Sequence, residues 1–159
     1  MIIRRATSQD LPGIDELLSQ VLEVHHAGRP DLFKAHTRKY TDEQLLQIIA
    51  DDMRPIFVAV DEDAMPGQIL GYAFCVHQQH VDDNILTDVR TLYIDDLCVD
   101  KSSRGRHVGT QLYQHVLEYA RTTNCYNVTL NVWACNESAR SFYEHLGLKP
   151  QKYGMEHVL

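Results

Sequence analysis

Arg104-Gly105-Arg106-His107-Val108-Gly109 follows an apolar run, Ile94-Asp95-Asp96-Leu97-Cys98-Val99, and opens onto Val108, Leu112, Val116, Leu117 and Ala120. The first run reads as a strand, and the spacing of the second set predicts a helix from about Val108 to Thr122. A short turn with two glycines and two arginines between strand and helix is a phosphate-holding pattern. Amide N–H groups at a helix start carry partial positive charge, and guanidinium groups add full charge. Glycine lets backbone approach a ligand with no Cβ in the way. A phosphorylated cofactor is the first expectation.

Outward from this turn, the rest of the chain divides into short elements. Residues 2–6 read as an edge strand. Ser8 or Asp10 caps a helix with Pro12 in its first turn and Leu11, Ile14, Leu17, Leu18, Val21 and Leu22 on one face. His26 to Tyr40, with Gly28 and Pro30, reads as a loop, and Thr41 to Gln44 is a capping box ahead of Leu45, Leu46, Ile48 and Ile49. Ile56 to Val60 and Ile69 to Val76 form a hairpin across a turn at 61–67, and Thr91 to Val99 is the next strand. Tyr126 to Trp133 alternates as a strand, Asn136 to Leu146 is a helix ended by Gly147, and the tail to Leu159 is expected to add a last strand. The order implies one α+β domain over 1–159, a mixed sheet with helices on both faces. Its two strand–helix units lie side by side, so the turn at 104–109 and Asn136 open on one cleft.

The bulk composition narrows the function. With 159 residues, 44% of them hydrophobic, the chain can build a core without staples. A net charge of −7 argues against a general nucleic-acid binder. Cys75, Cys98, Cys125 and Cys135 form no CxxC pair and are expected to be buried, reduced thiols of a cytoplasmic protein. Nine histidines give no ligand spacing, so no metal is expected. No apolar run reaches the roughly 20 residues of a membrane helix, and the start has no signal-peptide core. A P-loop fails for want of Gly-Lys-Ser/Thr, a dinucleotide fingerprint for want of GxGxxG, and Ser102-Ser103 has no nucleophile-elbow pattern.

Two motifs carry a family resemblance. Asp95-Asp-Leu-Cys-Val-Asp-Lys-Ser-Ser-Arg-Gly-Arg-His-Val-Gly-Thr110 is similar to the pyrophosphate loop of the GCN5-related N-acetyltransferases, [Q/R]-x-x-G-x-[G/A]. Leu130 to Leu148, with Asn136, Phe142, Tyr143 and Gly147, is similar to that superfamily's N-x-x-A-x-x-F-Y-x-x-x-G-[F/L] helix. The resemblance covers nearly the whole length. It implies the acyl-CoA N-acyltransferase fold, with a mostly antiparallel sheet, and acetyl-CoA as cosubstrate. It places Arg104, Gly105, Arg106, His107, Val108, Gly109 and Thr110 on the pyrophosphate, and backbone groups of Leu97, Cys98 and Val99 on the pantetheine arm. It also gives Asn136 a hydrogen bond to the cofactor, and Tyr143 the general-acid role beside the sulfur. Family members often form homodimers. One position departs: His107 stands where the family usually has Gly, and its Cβ crowds the phosphate if the loop needs positive φ.

The chemistry then needs a base. An alkyl amine with a pKa of about 10.4 is neutral in only about one molecule in 2,500 at pH 7. Asp95 is the first candidate and Asp96 the second, and strand alternation is expected to put them on opposite faces. Either instead attracts a cationic substrate or makes a structural hydrogen bond. Tyr143 at helical spacing beside Phe142 also fits core packing, and Asn136 also fits a helix N-cap. Asp82, Asp83, Asp88, Asp95 and Asp96 make this stretch acidic, which suits a cationic acceptor: a small-molecule or peptide amine such as a polyamine, an aminoglycoside, a lysine or a protein N-terminus. The competing class is an acetyl-CoA-binding module without turnover, acting as a sensor.

Overall fold

Ile2–Arg5 (β1), Ile56–Val60 (β2), Ile69–Gln79 (β3), Arg90–Val99 (β4) and Asn127–Leu130 (β5) form one sheet in sequence order. These elements belong to a computed structural model that describes residues 1–63 and 68–159. The expected turn at 61–67 therefore falls partly outside the described residues. The first four strands pair antiparallel, and β5 pairs parallel to β4. The helices are Leu11–Gly28 (α1), Asp42–Ile49 (α2), Val108–Thr122 (α3) and Glu137–His145 (α4).

Strand alternation sorts the apolar residues into two layers. Ile56, Val58, Val60, Tyr72 and Phe74 meet Ile14, Leu17 and Leu18 of α1 and Leu45 and Ile48 of α2. Phe57, Ala59, Leu70, Ala73 and Cys75 face the other way, onto Val108, Leu112, Tyr113, Val116 and Ala120 of α3. Gly71 lets β3 and β4 approach closely, because a Cβ there would stand 2.7 Å from the Cys98 carbonyl oxygen.

The capping box at Thr41 forms as read: Gln44 N–H donates to Thr41 Oγ1 at 3.2 Å, and Thr41 N–H to Gln44 Oε1 at 2.8 Å. The entry to α1 differs. A 3₁₀ turn, Ser8–Asp10, precedes the helix, and Asp10 is buried as an anchor rather than a simple cap. Arg4 donates to both its oxygens at 2.7 and 2.9 Å, and Thr7 N–H donates at 2.7 Å.

Three expectations about element ends are corrected. The helix α1 runs on to Gly28, so His26 belongs to it and the loop begins at Arg29. The last strand in sequence stops at Leu130 rather than Trp133. Residues 149–159 form no strand and are exposed; Tyr153, Met155, Val158 and Leu159 leave their apolar surface in water. Of the four free cysteines, Cys75 and Cys98 are buried as expected, but Cys125 is half-buried and Cys135 exposed.

Candidate active site

The site is built where β4 and β5 part. Their parallel pairing runs from Thr91 opposite Asn127 to Ile94 opposite Leu130 and stops there. Beyond it, Asp95 to Val99 continue along β3, with Leu97 opposite Ala73 and Val99 opposite Gly71, while the chain after Leu130 leaves the sheet. Among the described residues, the edge of Leu97, Cys98 and Val99 away from β3 is thus without a strand. An extended chain bearing amides can add to such an edge.

The same strand carries a bulge. Phe74 pairs with Asp96, but the next residue, Cys75, pairs with Ile94, so Asp95 is the extra residue. The inserted residue reverses the parity of everything after it. Leu92 and Ile94 face α3, and so do Leu97 and Val99 beyond the bulge. Cys98 faces α1, with its Sγ 3.7 Å from the Leu17 carbonyl oxygen. Burial pushes the Cys98 thiol up to about 12, so its side chain is inert and only its backbone is available to a ligand.

The bulge also overturns the expectation that Asp95 and Asp96 point to opposite faces. Both carboxylates converge on one ammonium. Lys39 Nζ donates to Asp95 Oδ2 at 3.2 Å and to Asp96 Oδ2 at 3.3 Å. The Tyr72 hydroxyl donates to the same Asp96 oxygen at 3.1 Å. The ammonium lies 5.4 Å from the centre of the Tyr40 ring and 6.0 Å from that of Phe74, and these two rings stack at 6.1 Å. Asp95 is open to solvent, whereas the Asp96 side chain is only 8% exposed. Burial raises the Asp96 carboxyl above its ordinary range, against the pull of Lys39 and Tyr72. Burial alone would lower Lys39, but the fields of Asp96 and Asp95 outweigh it and move it upward, so the ammonium stays charged.

At the far end of β4, Asp100 accepts from Ser102 N–H at 2.7 Å and leads the chain into the turn. Gly105 has φ +78° with open space where a Cβ would stand. His107, the N-cap of α3, has φ +61° and ψ +14° and makes no side-chain hydrogen bond to the first helical turn. The positive φ that would crowd a phosphate with Cβ is therefore present. Val108 and Gly109 are buried, so their contribution to a ligand is their amides; a Cβ on Gly109 would stand 3.1 Å from the Phe142 ring. Arg104 reaches back to the Val99 carbonyl at 3.4 Å, and Arg106 stands exposed, 4.0 Å from Asp61. An uncapped helix start, a glycine at positive φ and two arginines fit a diphosphate.

Asn136 is an N-cap: its Oδ1 accepts from Ala139 N–H at 3.1 Å, which leaves Nδ2 outside the cap. That bond starts α4 and carries Tyr143, half-buried with its ring 5.1 Å from that of Phe142. Burial, then the field of Asp96, raises the Tyr143 phenol, so it is protonated at neutral pH. The Trp133 ring meets Phe33 of the 29–41 loop edge-on at 5.3 Å. Among the described residues no group of three or more His, Cys, Asp or Glu is placed to hold a metal ion. Sequence reasoning missed Lys39 and Tyr72. Tyr72 sits in an apolar run that reads as core, and Lys39 in a loop without periodicity.

A family profile described as Acetyltransferase (GNAT) family matches residues 21–148. The chain belongs to this family. GNAT members use acetyl-CoA, and the turn and open edge above are the features that fit it. The chain is 29% identical to glucosamine 6-phosphate N-acetyltransferase 1 of Oryza sativa subsp. japonica over 105 residues, 66% of this chain and 58% of that protein. It is 33% identical to N-alpha-acetyltransferase 30 of Schizosaccharomyces pombe over 91 residues, 57% of this chain and 55% of that protein. The matched part thus spans little more than half the length of these relatives. Among solved structures, a point mutant of the BH1408 protein from Bacillus halodurans is 30% identical with a TM-score of 0.93, over 100% of this chain and 99% of that one. Mixed α/β architecture and the open five-stranded sheet are shared with acetyltransferases of this family. No helix among the described residues is long and apolar enough to cross a membrane.

Proposed function

We propose that this protein is an acetyl-CoA-dependent N-acetyltransferase that moves an acetyl group to a primary amine by direct attack. The observation that carries the reading is the parting of β4 and β5 after Ile94 and Leu130, with the Gly105–His107 turn and α3 at its end. Acetyl-CoA supplies the acetyl thioester. The α3 amides, Arg104 and Arg106 hold its diphosphate, the free edge at Leu97–Val99 aligns its arm, and Asn136 adds a hydrogen bond from Nδ2.

The amine must be neutral when it attacks, and Asp95 is the first base, acting through water, because it is exposed while Asp96 is tied to Tyr72. Tyr143 donates to the leaving sulfur. A phenol raised above 10 holds its proton more tightly than a thiol near 8.5, so its first contribution is a hydrogen bond. As the N–C bond forms and the C–S bond breaks, the proton that the attacking nitrogen loses is matched by the one the departing thiolate takes up, so amide and free thiol leave the site. Both curated relatives are named for acetylation at nitrogen, one with glucosamine 6-phosphate in its name. Four free cysteines accord with a reducing, cytoplasmic compartment.

The test is free-thiol release from acetyl-CoA across a panel of amines. Amine-dependent release that falls about 10²–10⁴-fold in Tyr143→Phe supports the reading. One observation favours the sensor alternative: His107 sits at positive φ in the phosphate turn. A thermal shift with acetyl-CoA, but no release with any amine, would establish it instead.

A further inference from the structure

The carboxylates assigned to the acceptor side are already occupied by a cation of the protein itself. Lys39 Nζ bridges Asp95 and Asp96 with its ammonium beside two stacked rings, and Asp96 is further held by Tyr72. Two anionic oxygens with aromatic faces beside them form a box for an alkylammonium. The box also has an approach. A cavity of about 190 Å³ is lined by Tyr40, Phe74 and Asp95 together with Ile48 and Arg54. Its walls end on the same rings and the same carboxylate that hold the lysine.

Lys39 is placed to leave. Its side chain is about one-third exposed, and it rides on the 29–41 segment between α1 and α2, which has no helix or strand. Arg38 ties that segment to Asp15 at 3.0 Å and to Asp42, both surface pairs of small energetic weight. Tyr40, by contrast, packs against the α1–α2 core and stays as a wall. The ammonium can swing out without unseating the box.

We propose that Asp95, Asp96, Tyr72, Tyr40 and Phe74 form an alkylammonium subsite whose resident occupant is Lys39, displaced when the acceptor amine binds. The subsite takes a primary ammonium on an unbranched chain of a few carbons, since a lysine side chain is what it now holds. Lys39 thereby gates the site: an acceptor that lacks an ammonium cannot replace the charge it removes. The inference rests on the reading that Asp95 and Asp96 face the acceptor.

The test measures n-butylammonium binding without acetyl-CoA, by calorimetry, in the wild type and in Lys39→Ala, Lys39→Gln and Lys39→Arg. The expected result is at least tenfold tighter binding in the Ala and Gln variants, and unchanged binding in Lys39→Arg, which keeps a tethered cation. Equal or weaker binding in the Ala and Gln variants overturns the proposal and makes Lys39 a fixed neutraliser. A second readout needs no variant: in wild-type protein with ¹³C-labelled lysine, the Lys39 ε-carbon signal should move towards that of free lysine as n-butylammonium is added. A signal unmoved at saturating amine overturns the proposal as well. Tightened binding with no thiol release sinks the transferase reading alone, and thiol release without tightened binding sinks this one alone.

Discussion

His107→Gly separates two effects that one residue combines. A non-glycine residue in the left-handed region costs about 1–2 kcal/mol, and His107 sits there at φ +61° and ψ +14°. Glycine removes that strain but adds about 0.5–1 kcal/mol of freedom to the unfolded chain. The net stabilisation is about 0–1.5 kcal/mol. At about 2–4 °C per kcal/mol for a chain of this size, the melting temperature should rise by no more than about 6 °C. This term is the same with or without ligand, so it says nothing about affinity.

Affinity changes only if the Cβ keeps the diphosphate from an amide of the turn. One N–H bond to a charged oxygen contributes about 1.5–3 kcal/mol, which corresponds to roughly tenfold to 150-fold in Kd. The assay is calorimetric titration of acetyl-CoA into wild type, His107→Gly and His107→Ala. The glycine variant should bind at least about tenfold tighter, and the alanine variant, which keeps the Cβ, should match the wild type. A gain in alanine equal to that in glycine would assign the effect to the imidazole ring. No gain in either would refute the crowding argument outright.

Other consequences can be checked directly. Burial alone would raise the Asp10 carboxyl, but hydrogen bonds from Arg4 and Thr7 outweigh it and hold it below the ordinary range. Its stabilisation is therefore complete above the ordinary carboxylate pKa of about 3.9 and is lost as pH falls through its lower folded value. Asp10→Asn should cost about 2 kcal/mol near neutrality, less than a fully buried pair because Arg4 is 36% exposed, with the difference from wild type narrowing in acid melts. Gly71→Ala, whose Cβ would stand 2.7 Å from the Cys98 carbonyl and 3.0 Å from Leu112, should lower stability by about 1–3 kcal/mol in denaturant titration. A thiol reagent at pH 8 should label Cys135 first, and leave Cys75 and Cys98 silent until the protein unfolds, since burial pushes both up to about 12. Early labelling of Cys98 would mean that the α1 face of β4 opens in solution.

The parts legible in the sequence are those set by local rules. The α3 boundaries, Val108 to Thr122, follow from a 3.6-residue period with glycine-bearing turn chemistry ahead of it, and Thr41 and Asn136 announce their helices by side chains that cap within three residues. The apolar runs of β2 and β3 are legible too, but β3 goes on past Val76 to Gln79, where the chain turns polar while still pairing with β4. The expected last strand fails because a short tail after a helix-ending glycine carries no local signal that fixes a pairing partner, and residues 149–159 form no strand. The bulge at Asp95 was hidden for a deeper reason: a bulge is a mismatch of count between two strands, and either strand alone looks regular. Its consequence for the site is large. With regular pairing, Asp96 and Cys98 would continue the Leu92–Ile94 face towards α3, and Leu97 and Val99 would turn towards α1. Asp96 could not then meet Tyr72 and Lys39, which lie on the α1 side. The same extra residue falls where β5 ends, so the strand edge left unpaired at Leu97–Val99 and the two carboxylates brought together on Lys39 arise from one local departure in β4.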